Sequence, residues 1–313
     1  MSQAAEDFSL DATSLKVGRL SGFAVAGSAI FFYLIARHGI GGILNTRKPW
    51  RMALLVGVGV LGLLGGFRSI LVTYVLLFIV QFFLEGLHKT RWMPAVAGAM
   101  LLGLLAVIPI VNKLPLSIQR CFSVLPVEVH PAVRAEALGS TEWRLKMWEI
   151  LIPEIPKYFW IGKGFTATAS DYYLTQQAMR LGFMQGFEGS MLAGDYHNGP
   201  LSILIPFGIW GVIAFLLFFG ASLHVLLNNF RYGDPAVKHI NTFLLGAFIT
   251  RLILFCFVFG AVQLELAVFI GLVGFSVSLN GGVRRLVTVF APVPERSEPT
   301  PASRRTRPLL VRP

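Results

Sequence analysis

The sequence predicts an all-α membrane protein, a bundle of about seven transmembrane helices with one large helical loop. Hydrophobic residues make up 55% of the chain and charged residues 14%, with a mean hydropathy of +0.67, which is typical of membrane proteins. The apolar runs are long and continuous, without the period-two alternation of a membrane barrel. The fourth and fifth runs are separated by residues 112–198, too many for a simple connection.

Seven apolar runs predict the membrane spans when the chain is read in a window of about 19 residues. The predicted spans are residues 20–36, 52–66, 69–87, 93–111, 199–224, 240–258 and 262–280, the second being short for a bilayer. Four spans therefore lie within residues 20–111 and three within residues 199–280, flanked by an N-terminal tail, 1–19, and a C-terminal tail, 281–313.

The distribution of lysine and arginine predicts the orientation. Basic residues concentrate in segments 37–51, 88–92, 225–239 and 281–313, and all four become cytoplasmic if the N-terminal tail lies outside. The loop 112–198 is then extracytoplasmic, and its eight basic and eight acidic residues make it neutral. The C-terminal tail holds seven arginines and many prolines, a composition that predicts a disordered cytoplasmic segment.

The net charge of +11 is explained by this topology and by contact with an anionic lipid leaflet. We therefore expect membrane lipids, and not nucleic acid, as partners. No metal-ligand spacing, phosphate-binding glycine loop or serine nucleophile motif occurs in the sequence, so we expect no metal site and no cofactor.

Helical periodicity within the loop predicts a helix that starts at Ser140 or Thr141 and ends at Pro153. One face of this helix is apolar and includes Trp148, which is typical of a helix lying at a membrane surface. The turn "WIGKGF" follows, and Gly162 and Gly164 could let backbone amides approach a ligand there or could simply form a turn.

Two arginines on the predicted outer side could bind phosphate through the planar guanidinium group. Arg68 falls in the short turn between the second and third spans, and Arg144 precedes Trp148 by one helical turn. The alternatives are an arginine at a helix end that reaches the interface, for Arg68, and a solvated surface residue, for Arg144.

Arg251 and Glu265 lie at membrane depth, where ionisable residues are costly and are functional candidates. Arg251 is inside the sixth predicted span and Glu265 is a few residues into the seventh. Because a tight turn joins these spans, the two side chains could lie within reach of one another. The alternative to a functional role is a structural ion pair.

His197 is the strongest candidate for a catalytic residue among the six histidines. It precedes the fifth span, where Asn198 or Gly199 can cap the helix and Pro200 fits its first turn. The positive end of a helix disfavours a protonated imidazole and attracts anions, so we expect a neutral His197 that can accept a proton beside a phosphate. Asp195 could orient the imidazole ring.

In these segments the chain resembles the O-antigen ligase and polymerase superfamily. The matching segments are "GGFRSILVTYVLLF" with Arg68, "RLKMWEILIPEIPKYFWIGKGF" with Arg144, Trp148, Pro156, Gly162 and Gly164, and "HNGPLSILIPFGIWG" with His197, Asn198, Gly208 and Gly211. The segment "RLSGFAVAGSAI" at Arg19 is similar to the one that precedes the shared domain. Members usually have more spans before that domain, so we expect a fragment or a reduced paralogue, and Phe67 replaces the serine that commonly precedes the arginine.

The resemblance implies a metal-independent GT-C-type glycosyltransferase of the bacterial inner membrane that uses a polyprenyl-diphosphate-linked glycan. It implies that Arg68 and Arg144 hold the donor diphosphate and that His197 activates or orients the acceptor hydroxyl. The acceptor stays open: a glycan, a lipid or a protein would each fit. The competing hypothesis is a non-catalytic scaffold or transporter that keeps the fold without the chemistry.

Overall fold

The computed structural model describes residues 20–123, 125–166 and 196–285, together with residues 169, 171–173 and 176. The N-terminal tail, most of the C-terminal tail and Asp195 lie outside the described residues. Within the described part the structure is helical and contains no strand. Its α-helices are α1 (Ser21–Ile43), α2 (Trp50–Leu63), α3 (Arg68–Leu84), α4 (Trp92–Val107), α5 (Leu116–Phe122), α6 (Pro131–Leu151), α7 (Ile155–Tyr158), α8 (Gly199–Tyr232), α9 (Lys238–Phe257) and α10 (Val262–Asn280).

Every predicted span corresponds to a helix. Four helical stretches in the described residues are long and apolar enough to cross a membrane, namely Ser21–Ile43, Gly199–Tyr232, Pro235–Phe257 and Val262–Asn280. The helices α2, α3 and α4 are also apolar but have 14, 17 and 16 residues, shorter than the ~20 residues that a bilayer core requires. The chain is thus a multi-pass membrane protein.

Helix α9 lies at the centre of the bundle and packs against α1, α3, α8 and α10. On one side, buried residues of α1, α2 and α3 form a core that includes Phe31 and Tyr74, whose rings stack 4.0 Å apart. On the other side, α8, α9 and α10 share a core around Phe219, Phe248 and Phe269. The two halves of the bundle are joined where Gln81 of α3 donates a hydrogen bond to the Thr242 carbonyl of α9.

Helix α1 continues beyond the predicted span because a carboxylate stabilises a break within it. The backbone leaves the helical conformation at Gly39, which has a φ of 62°. The Glu85 carboxylate, just after α3, accepts hydrogen bonds from the amides of Ile40 and Gly41 at 2.6 and 2.8 Å. These are amides that a helix break leaves without helical partners, so Glu85 caps the second part of α1.

The predicted start of the loop helix is wrong: α6 begins at Pro131, nine residues before Ser140. Pro131 occupies the first turn, and the His130 imidazole accepts a hydrogen bond from the Ala132 amide at 3.3 Å. Thr141, one of the two predicted caps, instead donates its hydroxyl hydrogen to the Ala137 carbonyl within the helix. A histidine followed by proline starts this helix, and threonine bonds back to the preceding turn.

Candidate active site

Helix α6 contacts Arg68 and also the residue that precedes His197. Arg68, the first residue of α3, donates a guanidinium hydrogen to the Ala137 carbonyl at 3.4 Å. One end of the same helix carries Trp148, whose indole N–H donates to the Tyr196 carbonyl at 3.0 Å. At 3.6 residues per turn, Ala137, Arg144 and Trp148 lie within about 40° of one another, spread over about 16 Å of helix. We call these three residues the site face of α6.

His197 has an unusual backbone conformation at the start of α8. Its φ is 48°, and within the described residues it is the only residue other than glycine with a positive φ. Tyr196 before it is 1% exposed, and the Asn198 side chain after it accepts a hydrogen bond from the Leu201 amide at 3.1 Å. Such conformations persist where neighbouring residues fix them, and they concentrate at functional sites.

Helix α8 is broken near its first third. Pro206 provides no amide hydrogen, and Gly208 adopts a φ of 66° and a ψ of −164°, outside the helical region. The turn Trp160–Phe165, which we call the glycine turn, satisfies the groups that this break leaves without helical partners. The Ile205 and Pro206 carbonyls accept hydrogen bonds from the Lys163 and Gly164 amides, each 2.9 Å long. The Ile209 amide donates to the Phe159 carbonyl at 2.7 Å.

The fit between the glycine turn and the break requires glycine on both sides. A Cβ atom at Gly162 would lie 2.3 Å from the Pro206 carbonyl oxygen, and one at Gly208 would lie 2.8 Å from the Gly162 nitrogen. Gly164, by contrast, has open space where its Cβ would be. The amides of Gly162 and Gly164 both donate to carbonyls of this chain, so the two glycines build a joint, and their contact with a ligand stays a prediction.

A buried charged pair that the sequence did not predict includes Lys163 of the glycine turn. The Lys163 ammonium pairs with the Asp171 carboxylate, and these side chains are 8% and 11% exposed. Burial acts to lower the pKa of Lys163, but Asp171 and Tyr196 together raise it above its ordinary value. Burial raises the pKa of Tyr196, and the Lys163 charge opposes that rise. The only sequence signal for this pair was a cation between two glycines in an apolar turn.

Arg120 is a second charged residue that the sequence did not single out. Its buried guanidinium pairs with the Glu136 carboxylate of α6 at 2.8 Å, next to the carbonyl that Arg68 contacts. Cys121, the next residue after Arg120, is fully buried against the Leu63 and Phe67 carbonyls. Burial raises the pKa of the Cys121 thiol to about 11, although both arginine charges act to lower it. Two cations therefore converge on one turn of α6.

Arg251 and Glu265 form an ion pair between α9 and α10, with one guanidinium nitrogen 3.0 and 3.2 Å from the two carboxylate oxygens. The start of α10 also contacts the start of α8, because the Ser202 hydroxyl accepts a hydrogen bond from the Val262 amide. The pair thus lies near the helix end that carries His197. A role of the Arg251–Glu265 ion pair in catalysis stays a prediction.

An apolar cavity of about 570 Å³ lies between α8 and α9, beside the break. Its lining includes residues from both halves of α8 and from the end of α9, among them Pro200, Ile203, Phe215, Leu252 and Phe255. Within the described residues, no group of three or more His, Cys, Asp or Glu side chains is arranged to hold a metal ion. The arrangement offers cations, a histidine and an adjoining apolar cavity.

Comparison with known proteins supports the resemblance seen in the sequence. A family model described as O-antigen ligase matches residues 52–216, more than half of the 313 residues. The matched region contains Arg68, the site face of α6, the glycine turn and His197. No curated protein and no solved structure matches the chain. The extent of the family match shows that the chain belongs to the O-antigen ligase family, whose membrane proteins act in polysaccharide biosynthesis.

Proposed function

We propose that this protein is a glycosyltransferase that moves a glycan from a polyprenyl-diphosphate carrier to an acceptor hydroxyl at the extracytoplasmic face of the bacterial inner membrane. The observation that carries the proposal is the site face of α6. It contacts Arg68 at one end, holds the residue before His197 at the other and carries Arg144 between them. These contacts support a site in which the diphosphate-binding region and the proton acceptor lie along one helix of the family domain.

The chemistry follows from these side chains. His197 accepts the proton of the acceptor hydroxyl while its oxygen forms a bond to the anomeric carbon of the donor glycan. The bond between that carbon and the diphosphate oxygen breaks on the opposite side, so the configuration inverts and the bonding electrons leave with the diphosphate. Arg68 and Arg144 neutralise the charge that develops on the leaving group.

Two helix ends add to this electrostatic support. Helix α3 begins at Arg68 and α8 begins directly after His197 and Asn198. The amides of a first helical turn carry partial positive charge and attract phosphate groups. Both ends contact α6, so both contribute positive potential on the same side of the bundle. The apolar cavity beside α8 is suited to part of the lipid chain of the donor.

The proposed topology places residues 112–198 outside and the C terminus in the cytoplasm. The supporting argument is the concentration of basic residues in the remaining connections and in the C-terminal tail. The N-terminal tail is then extracytoplasmic, and seven spans, including the shorter α2, α3 and α4, cross the membrane. Reporter fusions test this arrangement: a fusion near residue 170 should report an extracytoplasmic position, and a cytoplasmic signal would overturn both topology and site.

The test of function is transfer by purified protein in lipid nanodiscs, with lipid-linked glycan extracted from a bacterial strain that lacks its own ligase. His197→Ala, Arg68→Ala and Arg144→Ala should each lower the rate by about 10²- to 10⁴-fold. His224→Ala and Arg231→Ala are matched controls, since both residues are exposed near the other end of α8, and they should keep wild-type rates. Wild-type transfer by all three site variants would refute the proposal and favour a scaffold or transporter.

A further inference from the structure

Tyr196 is the point at which three separate parts of the chain meet. It directly precedes His197 and is 1% exposed. Its neighbours are Met147 and Leu151 of α6 and Leu201 and Ile205 of α8, which form one buried apolar cluster with it. The glycine turn reaches the same region through Lys163. A residue buried by three segments is held more firmly than one on a free loop.

Trp148 holds the backbone of Tyr196. Its indole N–H donates to the Tyr196 carbonyl at 3.0 Å, and its ring packs partly against the apolar cluster. The carbonyl of Tyr196 and the amide nitrogen of His197 belong to one planar peptide unit. A hydrogen-bond donor held against that carbonyl therefore restrains the peptide plane on one side of the N–Cα bond of His197. The φ of His197 is the rotation about this bond.

Lys163 lies near the side-chain end of Tyr196, whose buried hydroxyl has no hydrogen-bond partner within the described residues. The Lys163 backbone amide is bound to the Ile205 carbonyl, and its ammonium is paired with Asp171. Ile205 belongs to the apolar cluster that buries Tyr196, and the charge of the ammonium acts to lower the pKa of the Tyr196 hydroxyl against the effect of burial. Because Lys163 is anchored at both its backbone and its charged end, it is a fixed neighbour for the tyrosine ring.

The left-handed conformation of His197 needs such support. A residue with a Cβ atom is disfavoured there and relaxes to negative φ when nothing opposes the change. Relaxation would turn the imidazole away from its present direction. A displacement of about 1 Å in a reacting group can lower a rate by about 10²-fold.

We propose that Trp148 and Lys163 are positioning residues that together act as a clamp on Tyr196. Trp148 restrains the Tyr196 carbonyl, and Lys163 is fixed beside the cluster that buries the ring, so that His197 keeps the conformation that aims its imidazole at the acceptor hydroxyl. This inference rests on the proposed function, because it takes His197 as the proton acceptor. It assigns neither residue a contact with substrate.

The test compares kcat, per folded protein, and KM for the same extracted lipid-linked glycan, in full-length protein in nanodiscs. Trp148→Phe removes the indole donor and keeps an aromatic ring, and Lys163→Met removes the charge and keeps the length of the side chain. Each should lower kcat by about 10- to 100-fold with KM changed by less than about twofold. Lys163→Arg keeps the charge that pairs with Asp171 and should recover kcat to within about threefold of wild type.

Trp160→Phe and Lys157→Met are the matched controls. Trp160 is 67% exposed, and Lys157 makes a surface ion pair with Glu154, so both variants should keep wild-type kcat. If Lys163→Met does not accumulate, Asp171→Asn takes its place, because it removes the charge that anchors the Lys163 ammonium, and the same fall in kcat is expected.

The outcomes separate this inference from the proposed function. An inactive His197→Ala together with wild-type kcat in Trp148→Phe and Lys163→Met would overturn the clamp alone. A rise in KM with unchanged kcat would also overturn it, since that pattern indicates lost binding. An active His197→Ala would overturn the proposed function, and the clamp with it.

Discussion

The joint between the glycine turn and the break in α8 makes a quantitative prediction about two neighbouring glycines. Gly162 and Gly164 have φ values of 77° and 71°, so alanine at either position is strained by about 1–2 kcal/mol. Only at Gly162 would the added methyl group meet backbone, 2.3 Å from the Pro206 oxygen. A polypeptide backbone held by hydrogen bonds cannot yield as a flexible side chain can, so the turn must move away.

The additional effect at Gly162 can be worked out from the contacts that would be lost. Three hydrogen bonds join the turn and the preceding residue, Phe159, to the break, each with a net contribution of about 1 kcal/mol. Gly162→Ala should therefore destabilise the protein by about 2–3 kcal/mol more than Gly164→Ala. The reduced freedom of the unfolded chain, which favours alanine, is the same for both variants and does not affect this difference.

The assay is unfolding of purified protein by SDS in mixed detergent micelles, followed by tryptophan fluorescence. Gly22→Ala serves as a third variant, because its Cβ would meet open space at the start of α1. The expected order of stability is Gly22→Ala highest, then Gly164→Ala, then Gly162→Ala. Equal losses for Gly162→Ala and Gly164→Ala would show that the turn does not fill the break.

Two further predictions concern the other half of the bundle and the loop. Glu85→Gln removes the charge that caps the second part of α1 and should lower stability by about 1–3 kcal/mol in the same unfolding assay, whereas an unchanged midpoint would refute the cap. On a Cys256→Ser background, Cys121 at pH 8 should react with a maleimide about 10²-fold more slowly in folded than in SDS-unfolded protein, since its raised pKa keeps the thiol protonated. Folded and unfolded rates that agree would contradict the burial of Cys121.

The membrane helices could be predicted because long apolar runs are a strong local signal. The structure extends two of them where the signal weakens. Helix α8 reaches Tyr232, eight residues past its predicted end, since Leu226 and Asn229 are buried against neighbouring helices. The Asn229 amide donates to Ser276 of α10, so polar residues continue the helix through contacts that hydropathy does not record.

The arrangement of the candidate site depended on partners distant in the chain, which one sequence cannot assign. The loop contains equal numbers of acidic and basic residues, but nothing in their spacing predicted that Arg120 pairs with Glu136 or Lys163 with Asp171. The break in α8 lies at Pro206 and Gly208. That this point is filled by a turn more than forty residues earlier follows from three-dimensional packing alone.

The break in α8 also explains how the loop residues keep their place beside the bundle. Irregular backbone at membrane depth persists only where protein or an enclosed cavity satisfies it, so the break and the glycine turn stabilise one another. Together with the contacts of Arg68 with Ala137 and of Trp148 with Tyr196, the turn fastens the loop to the membrane helices at three points. The first part of α8, which begins after His197, lies between two of these points. The position of His197 therefore depends on the contact between the break and the glycine turn. A substitution within α8 that disrupts this contact should alter the site, although the substituted residue lies outside it.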